Sequence, residues 1–286
     1  MPVGGAGELT RGRRAAALGE ATGELLLTQD DGVVTLALHR PDKRNAISFA
    51  MWQAFGRLLP VLAEDESVQV VVLSGTPGGP FSAGADIGEF RTLRQGPEGA
   101  ARYSAAVEAG EQALRTFPKP TVALVEGFAI GGGTQLALAC DLRVCGQGSQ
   151  FGVTPARLGI VYPLASTARL VQEVGAAWAR MILLTGELVD AATALRIGLV
   201  HEVVPDAGVA ERAHGLAATL ASRAQVSLVG GKALVARAAA GQLAVDGAVQ
   251  EIYRASWSGA EYAEGVAAFL GKRTPDFAAA RALVWP

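Results

Sequence analysis

Apolar residues fall along this chain in two rhythms. Short runs almost free of polar side chains, 70–75 and 121–125, are closed by Gly75, Pro120 and Gly127, the pattern of strands buried on both faces. Leu25-Leu26-Leu27-Thr28 and Val33-Val34-Thr35-Leu36-Ala37-Leu38 flank Gln29-Asp30-Asp31-Gly32, whose Asp-Gly step predicts a tight hairpin. A longer rhythm starts after Ser48, a candidate N-cap: Phe49, Trp52, Phe55, Leu59 and Leu62 recur at helical spacing and predict a helix with one core-forming face. Residues 92–117 read as a polar loop and helix that cover a pocket, and 141–144 as a further strand. Repeated strand–turn–helix units imply right-handed crossovers and a largely parallel sheet, hence an α/β fold.

Past the turn-forming stretch Val203-Val204-Pro205-Asp206-Ala207-Gly208 the strand rhythm stops. Segments 209–223, 225–240 and 243–270 predict helices rich in Ala, Val and Leu, whose apolar surface calls for a partner. Three regions follow: a disordered leader over 1–22, rich in Gly, Ala and Arg, an α/β core over 23–204 and a helical region over 205–286.

Composition narrows the classes. With 286 residues, 50% of them hydrophobic and 36 of them glycine, the chain suits an α/β protein with many strand–helix joints. Its 25 basic and 27 acidic residues nearly cancel, so no global field favours nucleic acid or a membrane surface, and a phosphate-bearing ligand must rely on local bases. Cys140 and Cys145 show neither zinc nor redox spacing and read as buried small residues. No apolar stretch follows Arg11, Arg13 and Arg14, so a signal peptide or anchor is not expected, and a cytoplasmic location is. His39, His201 and His214 read as structural or surface residues, and no Ser-His-Asp or metal-ligand constellation stands out.

Candidate chemistry gathers at two glycine turns. Phe81-Ser82-Ala83-Gly84-Ala85-Asp86-Ile87 follows the first buried run, and Glu126-Gly127-Phe128-Ala129-Ile130-Gly131-Gly132-Gly133 follows the second and opens a helix. Glycine removes Cβ where backbone must approach something closely, and the first N–H groups of a helix are unpaired and favour negative charge. Two N–H donors from two such turns suit one developing oxyanion. Neither G-x-G-x-x-G nor G-x-x-x-x-G-K-[ST] occurs, which weakens a nucleotide-binding reading. Asp86 and Asp141 are expected to tie turns together rather than to act as acids.

These two motifs, F-S-A-G-A-D-I and G-x-x-x-G-G-G-x-x-L-A-x-x-C-D, resemble the crotonase (enoyl-CoA hydratase/isomerase) superfamily, with a likeness running from about Leu25 to Phe277. The resemblance implies a crotonase-like spiral of ββα units with C-terminal helices that build a homotrimer or a dimer of trimers. It implies an acyl-CoA substrate, coenzyme A entering as part of that substrate and no permanently bound cofactor. It places the oxyanion hole at the N–H groups of Ala85 and Gly132. CoA contacts are implied at Lys43, Arg44, Ala46, Ala83 and Ile87, with Phe269 or Lys272 contributed by a neighbouring subunit.

The acid and base depart from the hydratase pattern. The family's hydratases carry glutamates where this chain has Gln135 and Ala156, and neither an amide nor a methyl group moves a proton as a carboxylate does. In their place Thr154-Pro155-Ala156-Arg157-Leu158-Gly159-Ile160-Val161-Tyr162 resembles the methylmalonyl-CoA decarboxylase branch, where residues matching Thr154 and Tyr162 face the substrate carboxylate. That branch places a histidine where Ala85 stands. Decarboxylation needs no general base, so the expectation leans to decarboxylase-like chemistry with Thr154 and Tyr162 in the acyl pocket. The alternatives are a hydratase or isomerase with a displaced acid, Glu89 being the nearest candidate, and a CoA-thioester-binding homologue without turnover.

Overall fold

Val70 and Val72 point to one side of their strand, Val71 and Leu73 to the other, and all four are buried because each side meets its own core. The computed structural model describes residues 13–282 apart from 15, 18 and 22. Its larger sheet has the order β1 (Leu25–Asp30), β2 (Val33–Leu38), β3 (Val70–Gly75), β4 (Thr121–Val125), β6 (Leu142–Gly146), β9 (Glu202–Val204). Within this sheet, among the described residues, only the β1–β2 pair is antiparallel. Its turn places Asp31 at φ 43° and Gly32 at φ 80°, which only the mirror-image hairpin turn requires and which an Asp-Gly step supplies.

A smaller sheet stacks β5 (Phe128–Ile130), β7 (Gln150–Gly152) and β8 (Val189–Asp190). The chain alternates between the sheets. β3 leads to Ser82, which bridges Ala129 beside the small sheet, β4 leads to β5, and β6 leads to β7. Each such pair precedes a helix, so the expected ββα spiral is the observed architecture.

On the larger core lies α1 (Phe49–Glu64), begun by Ser48, whose Oγ accepts the Met51 N–H at 3.1 Å. Trp52, Phe55, Leu58 and Leu62 are fully buried on its inner face, each worth about 1.5–3 kcal/mol of burial. After the short α2 (Phe90–Leu93), α3 (Gly96–Arg115) crosses α1, and Gly110 permits the approach: a Cβ there would stand 2.7 Å from the Trp52 carbonyl oxygen. α4 (Gly132–Ala139) and α5 (Leu164–Thr185) complete the layer around the pocket, and α6 (Ala191–Arg196) leads to β9.

The second core is closed by α7 (Val209–Ala221), whose Val209, Ala213, Ala217 and Ala221 repeat every four residues against β3, β4 and β6. The helical region expected to start at 205 therefore contributes its first helix to the α/β core. Then follow α8 (Gln225–Ala239), α9 (Gly247–Ser258), α10 (Ala260–Leu270) and α11 (Phe277–Ala282). The helix expected over 243–270 is two, because Gly259 is extended at φ −88°, ψ 159°. At the other end the leader expected over 1–22 packs earlier than that boundary: Arg14 reaches Asp65 at 2.6 Å and Ala17 and Ala21 are buried, while residues 1–12 lie outside the described ones. Among the described residues no helix is long and apolar enough to cross a membrane.

Candidate active site

Both glycine turns open onto one cavity of about 550 Å³, lined by Ala83, Gly84, Ala85 and Ile87 from the first and by Ile130, Gly131 and Gly132 from the second. Backbone hydrogen bonding aims the first turn. Ile47 donates to Gly84 O at 2.7 Å and accepts from Asp86 N at 2.9 Å, so the intervening Ala85 peptide faces the other way, towards the cavity. Gly132 is the first residue of α4, and its N–H has no partner inside the helix. Among the described residues neither N–H meets a backbone acceptor. The turns also touch: a Cβ at Gly84, which sits at φ +97°, would lie 2.6 Å from the Ile130 carbonyl and 3.4 Å from Gly132 N. Sequence reasoning placed this pair of donors, and the structure brings them together.

The first turn is braced by charge. Asp86 accepts from Arg40 at 2.9 Å and from Lys43 at 2.8 Å, and its other oxygen takes the Gly88 N–H at 3.0 Å. Burial works against its charge, but Lys43 and Arg40 outweigh burial and hold the carboxyl below the usual range. Asp141 likewise accepts from Thr121 N at 2.8 Å and from Lys232 at 2.6 Å, so both aspartates are ties, though made by cations as well as by backbone. Of the residues implied to contact CoA, Ala83 and Ile87 line the cavity. Lys43, Arg44 and Ala46 are not part of its wall, with Lys43 engaged by Asp86, and neither are Phe269 and Lys272, which belong to the end of α10 and the residues after it.

A further part of the wall is formed by Thr154, Pro155, Leu158, Ile160 and Tyr162, so Thr154 and Tyr162 do reach the pocket. Thr154 makes no capping bond with its side chain. Among the described residues the buried Tyr162 Oη has no partner at good hydrogen-bond geometry, and burial first, then the nearby Glu111 carboxylate, push its hydroxyl pKa up against a smaller opposing effect of Ser166. Ala156 is exposed and outside the lining.

Glu89, the candidate displaced acid, is spoken for. Its Oε2 accepts the Phe49 N–H at 2.7 Å at the start of α1, and it does not line the cavity, although burial holds its carboxyl above the usual range. Two carboxylates of α3 do line it, the exposed Glu108 and Glu111, which is buried to 5% exposure. Glu111 Oε2 accepts from Gln135 Nε2 at 2.5 Å and from Ser166 Oγ at 2.7 Å, which joins α3, α4 and α5 at one point. Sequence reasoning missed it. The available signal was a glutamate on an inward stripe with Tyr103, Val107, Gly110 and Leu114, a position where a helix normally carries an apolar residue. At the rim, the Arg94 guanidinium lies 4.5 Å from the Phe90 ring centroid, and Glu108 is exposed.

Cys140 and Cys145 are buried free thiols that burial pushes up to about 12, far from reactive. His39 meets Thr76 Oγ1 at 3.2 Å and His201 accepts the Arg143 N–H at 3.1 Å, both outside the cavity. His214 lines a separate groove, with Thr28 and Phe277. Among the described residues no cluster fit to hold a metal occurs.

Comparison with known proteins agrees with this geometry. The family model described as enoyl-CoA hydratase/isomerase matches residues 28–280. The 2,3-dehydroadipyl-CoA hydratase of Escherichia coli (strain K12) is 34% identical over 256 residues, covering 89% of this chain and 98% of its own. A human relative, enoyl-CoA hydratase domain-containing protein 2, mitochondrial, is 31% identical over 278 residues, 93% of this chain and 94% of its own. Among solved structures, an enoyl-CoA hydratase/carnithine racemase from Magnetospirillum magneticum superposes with a TM-score of 0.85 at 32% identity, covering 89% of this chain and 95% of that one.

Proposed function

Because the chain belongs to the enoyl-CoA hydratase/isomerase family, we propose that it is a lyase or isomerase that converts an acyl-CoA thioester through an enolate held by the N–H groups of Ala85 and Gly132. The observation that carries this reading is the convergence of those two unpaired donors on one cavity. Each preorganised donor of this kind lowers a barrier by about 3 kcal/mol, because it meets charge that forms only in the transition state. Coenzyme A arrives with the substrate. Ala83 and Ile87 flank its reactive end, the Lys43, Arg44 and Ala46 segment lies on its path, and Phe269 and Lys272 of a neighbouring subunit complete the site in a trimer. The enzyme works in the cytoplasm.

Hydration or isomerisation with a displaced acid is favoured by Glu111, a carboxylate already inside the cavity. Decarboxylase-like chemistry is the second reading, and the unpartnered Tyr162 hydroxyl beside Thr154 supports it, since a substrate carboxylate would accept that donor. Against it, Glu111 sets a negative charge in the same cavity, which opposes a second one.

Three thioesters tested in parallel separate these readings: crotonyl-CoA, its β,γ-unsaturated isomer and methylmalonyl-CoA, each with the natural protein and with Tyr162→Phe. Gain of water or migration of the double bond, with little effect of Tyr162→Phe, is the expected result. Loss of carbon dioxide from methylmalonyl-CoA, slowed by the substitution, would select the second reading. Tight binding of all three without conversion would leave a thioester-binding protein.

A further inference from the structure

We propose that Glu111, carried on the helix that covers the cavity, is the catalytic residue that moves the proton in this site, and that Gln135 is its positioning residue; the proposal rests on the acyl-CoA reading above. Glu111 is 5% exposed, and among the described residues no cation pairs with it. A buried carboxylate without a counter-ion is costly, and a fold that served only packing would replace it with an apolar side chain. Two neutral donors offset part of the cost, both on the same oxygen: Gln135 Nε2 at 2.5 Å and Ser166 Oγ at 2.7 Å bond Oε2. Among the described residues no donor reaches Oε1, and Glu111 forms part of the cavity wall.

The residue at 135 is thereby explained. A glutamate there would set a second carboxylate at hydrogen-bond distance from Glu111, where both cannot be ionised. An amide turns that repulsion into a donor and fixes Glu111 instead. Gln135 also sets the acid in register with the oxyanion donors, since it follows Gly132 by three residues on α4, about 4.5 Å along the axis and on the same face. The other carboxylates on this side are less suited: Glu89 is bonded to Phe49 N, and Glu108, which also lines the cavity, is exposed and has no fixed partner among the described residues to aim it.

The step balances within the site. Oε1 takes a proton from the carbon next to the thioester carbonyl and an O–H bond forms on Glu111 as the C–H bond breaks. The released electron pair moves into the carbonyl and rests on its oxygen, against Ala85 N and Gly132 N. The proton held on Glu111 exchanges with solvent while the enolate persists, and collapse of the enolate takes a proton from Glu111 onto the same carbon, or onto the conjugated carbon of an unsaturated chain, and restores the carboxylate with no co-reactant.

Butyryl-CoA in deuterium oxide isolates this step, because a saturated chain has neither a double bond to hydrate nor a carboxylate to lose. Deuterium uptake beside the carbonyl, read by mass spectrometry, is expected with the natural protein. Glu111→Gln should slow it by about 100-fold or more without changing the calorimetric Kd for butyryl-CoA. Glu111→Asp, which keeps the carboxylate but draws it back, should fall between the two, and it carries the test if thermal melts show the glutamine variant unfolded. Gln135→Leu should slow exchange while leaving Kd unaltered. Uptake by Glu111→Gln at the natural rate, or binding by the natural protein with no uptake, overturns the role of Glu111. Failure of the folded natural protein to bind butyryl-CoA overturns the acyl-CoA reading itself.

Discussion

Arg143 is a guanidinium at 1% exposure, bonded to Leu199 O at 2.7 Å and Cys140 O at 2.8 Å and paired with Glu173. Glu173→Ala would leave that charge buried without its carboxylate, and an urea titration should report a loss of about 3 kcal/mol. Next to it His201 accepts the Arg143 N–H, and burial, then the Arg143 charge, hold its imidazole below the ordinary pKa. With the folded pKa lowered, the unfolded chain binds the extra proton first. His201 therefore contributes stability that is full above about pH 6.5 and is lost as pH falls below it. The urea midpoint should drop between pH 7.5 and pH 5.5 by less in His201→Asn than in the natural protein. At this scale the sequence spoke unevenly: the burial of the two cysteines follows from their type, whereas the partners of Glu111 come from helices 24 and 55 residues away and leave no local trace.

Elements were more legible, because their signals are local. Ser48 announced α1, the Asp31-Gly32 step announced the hairpin, and apolar runs announced β3 and β4. What did not show was a break at a single residue, as at Gly259, or a two-residue strand such as β8, whose pairing with β7 is decided by the neighbour. The oxyanion turn makes a strong prediction. Gly84→Ala places a methyl 2.6 Å from the Ile130 carbonyl at a backbone angle of +97°, so the two turns must separate. A loss of about 2 kcal/mol in stability is expected, together with loss of enolate chemistry, read by melting and by deuterium uptake.

Over the whole molecule, the resemblance to a known superfamily foretold the spiral better than any periodicity, since the alternation between two sheets is set by contacts distant in sequence. The C-terminal helices leave Trp257 62% and Phe269 83% exposed, large apolar side chains that an interface would cover. Phe269→Asp should shift the proposed trimer towards monomers in sedimentation velocity, and should weaken acyl-CoA binding if Phe269 serves a neighbour's site; an unchanged sedimentation coefficient would place the interface elsewhere. Inside the chain, the side chain missing from Gly110 works as a spacer one residue before the acid. Since a methyl there would stand 2.7 Å from the Trp52 carbonyl, the depth to which Glu111 reaches is fixed by how closely two helices can be laid together. The pace of proton transfer is then written partly in an interhelical gap, and a lineage could retune it without altering any atom that touches the substrate.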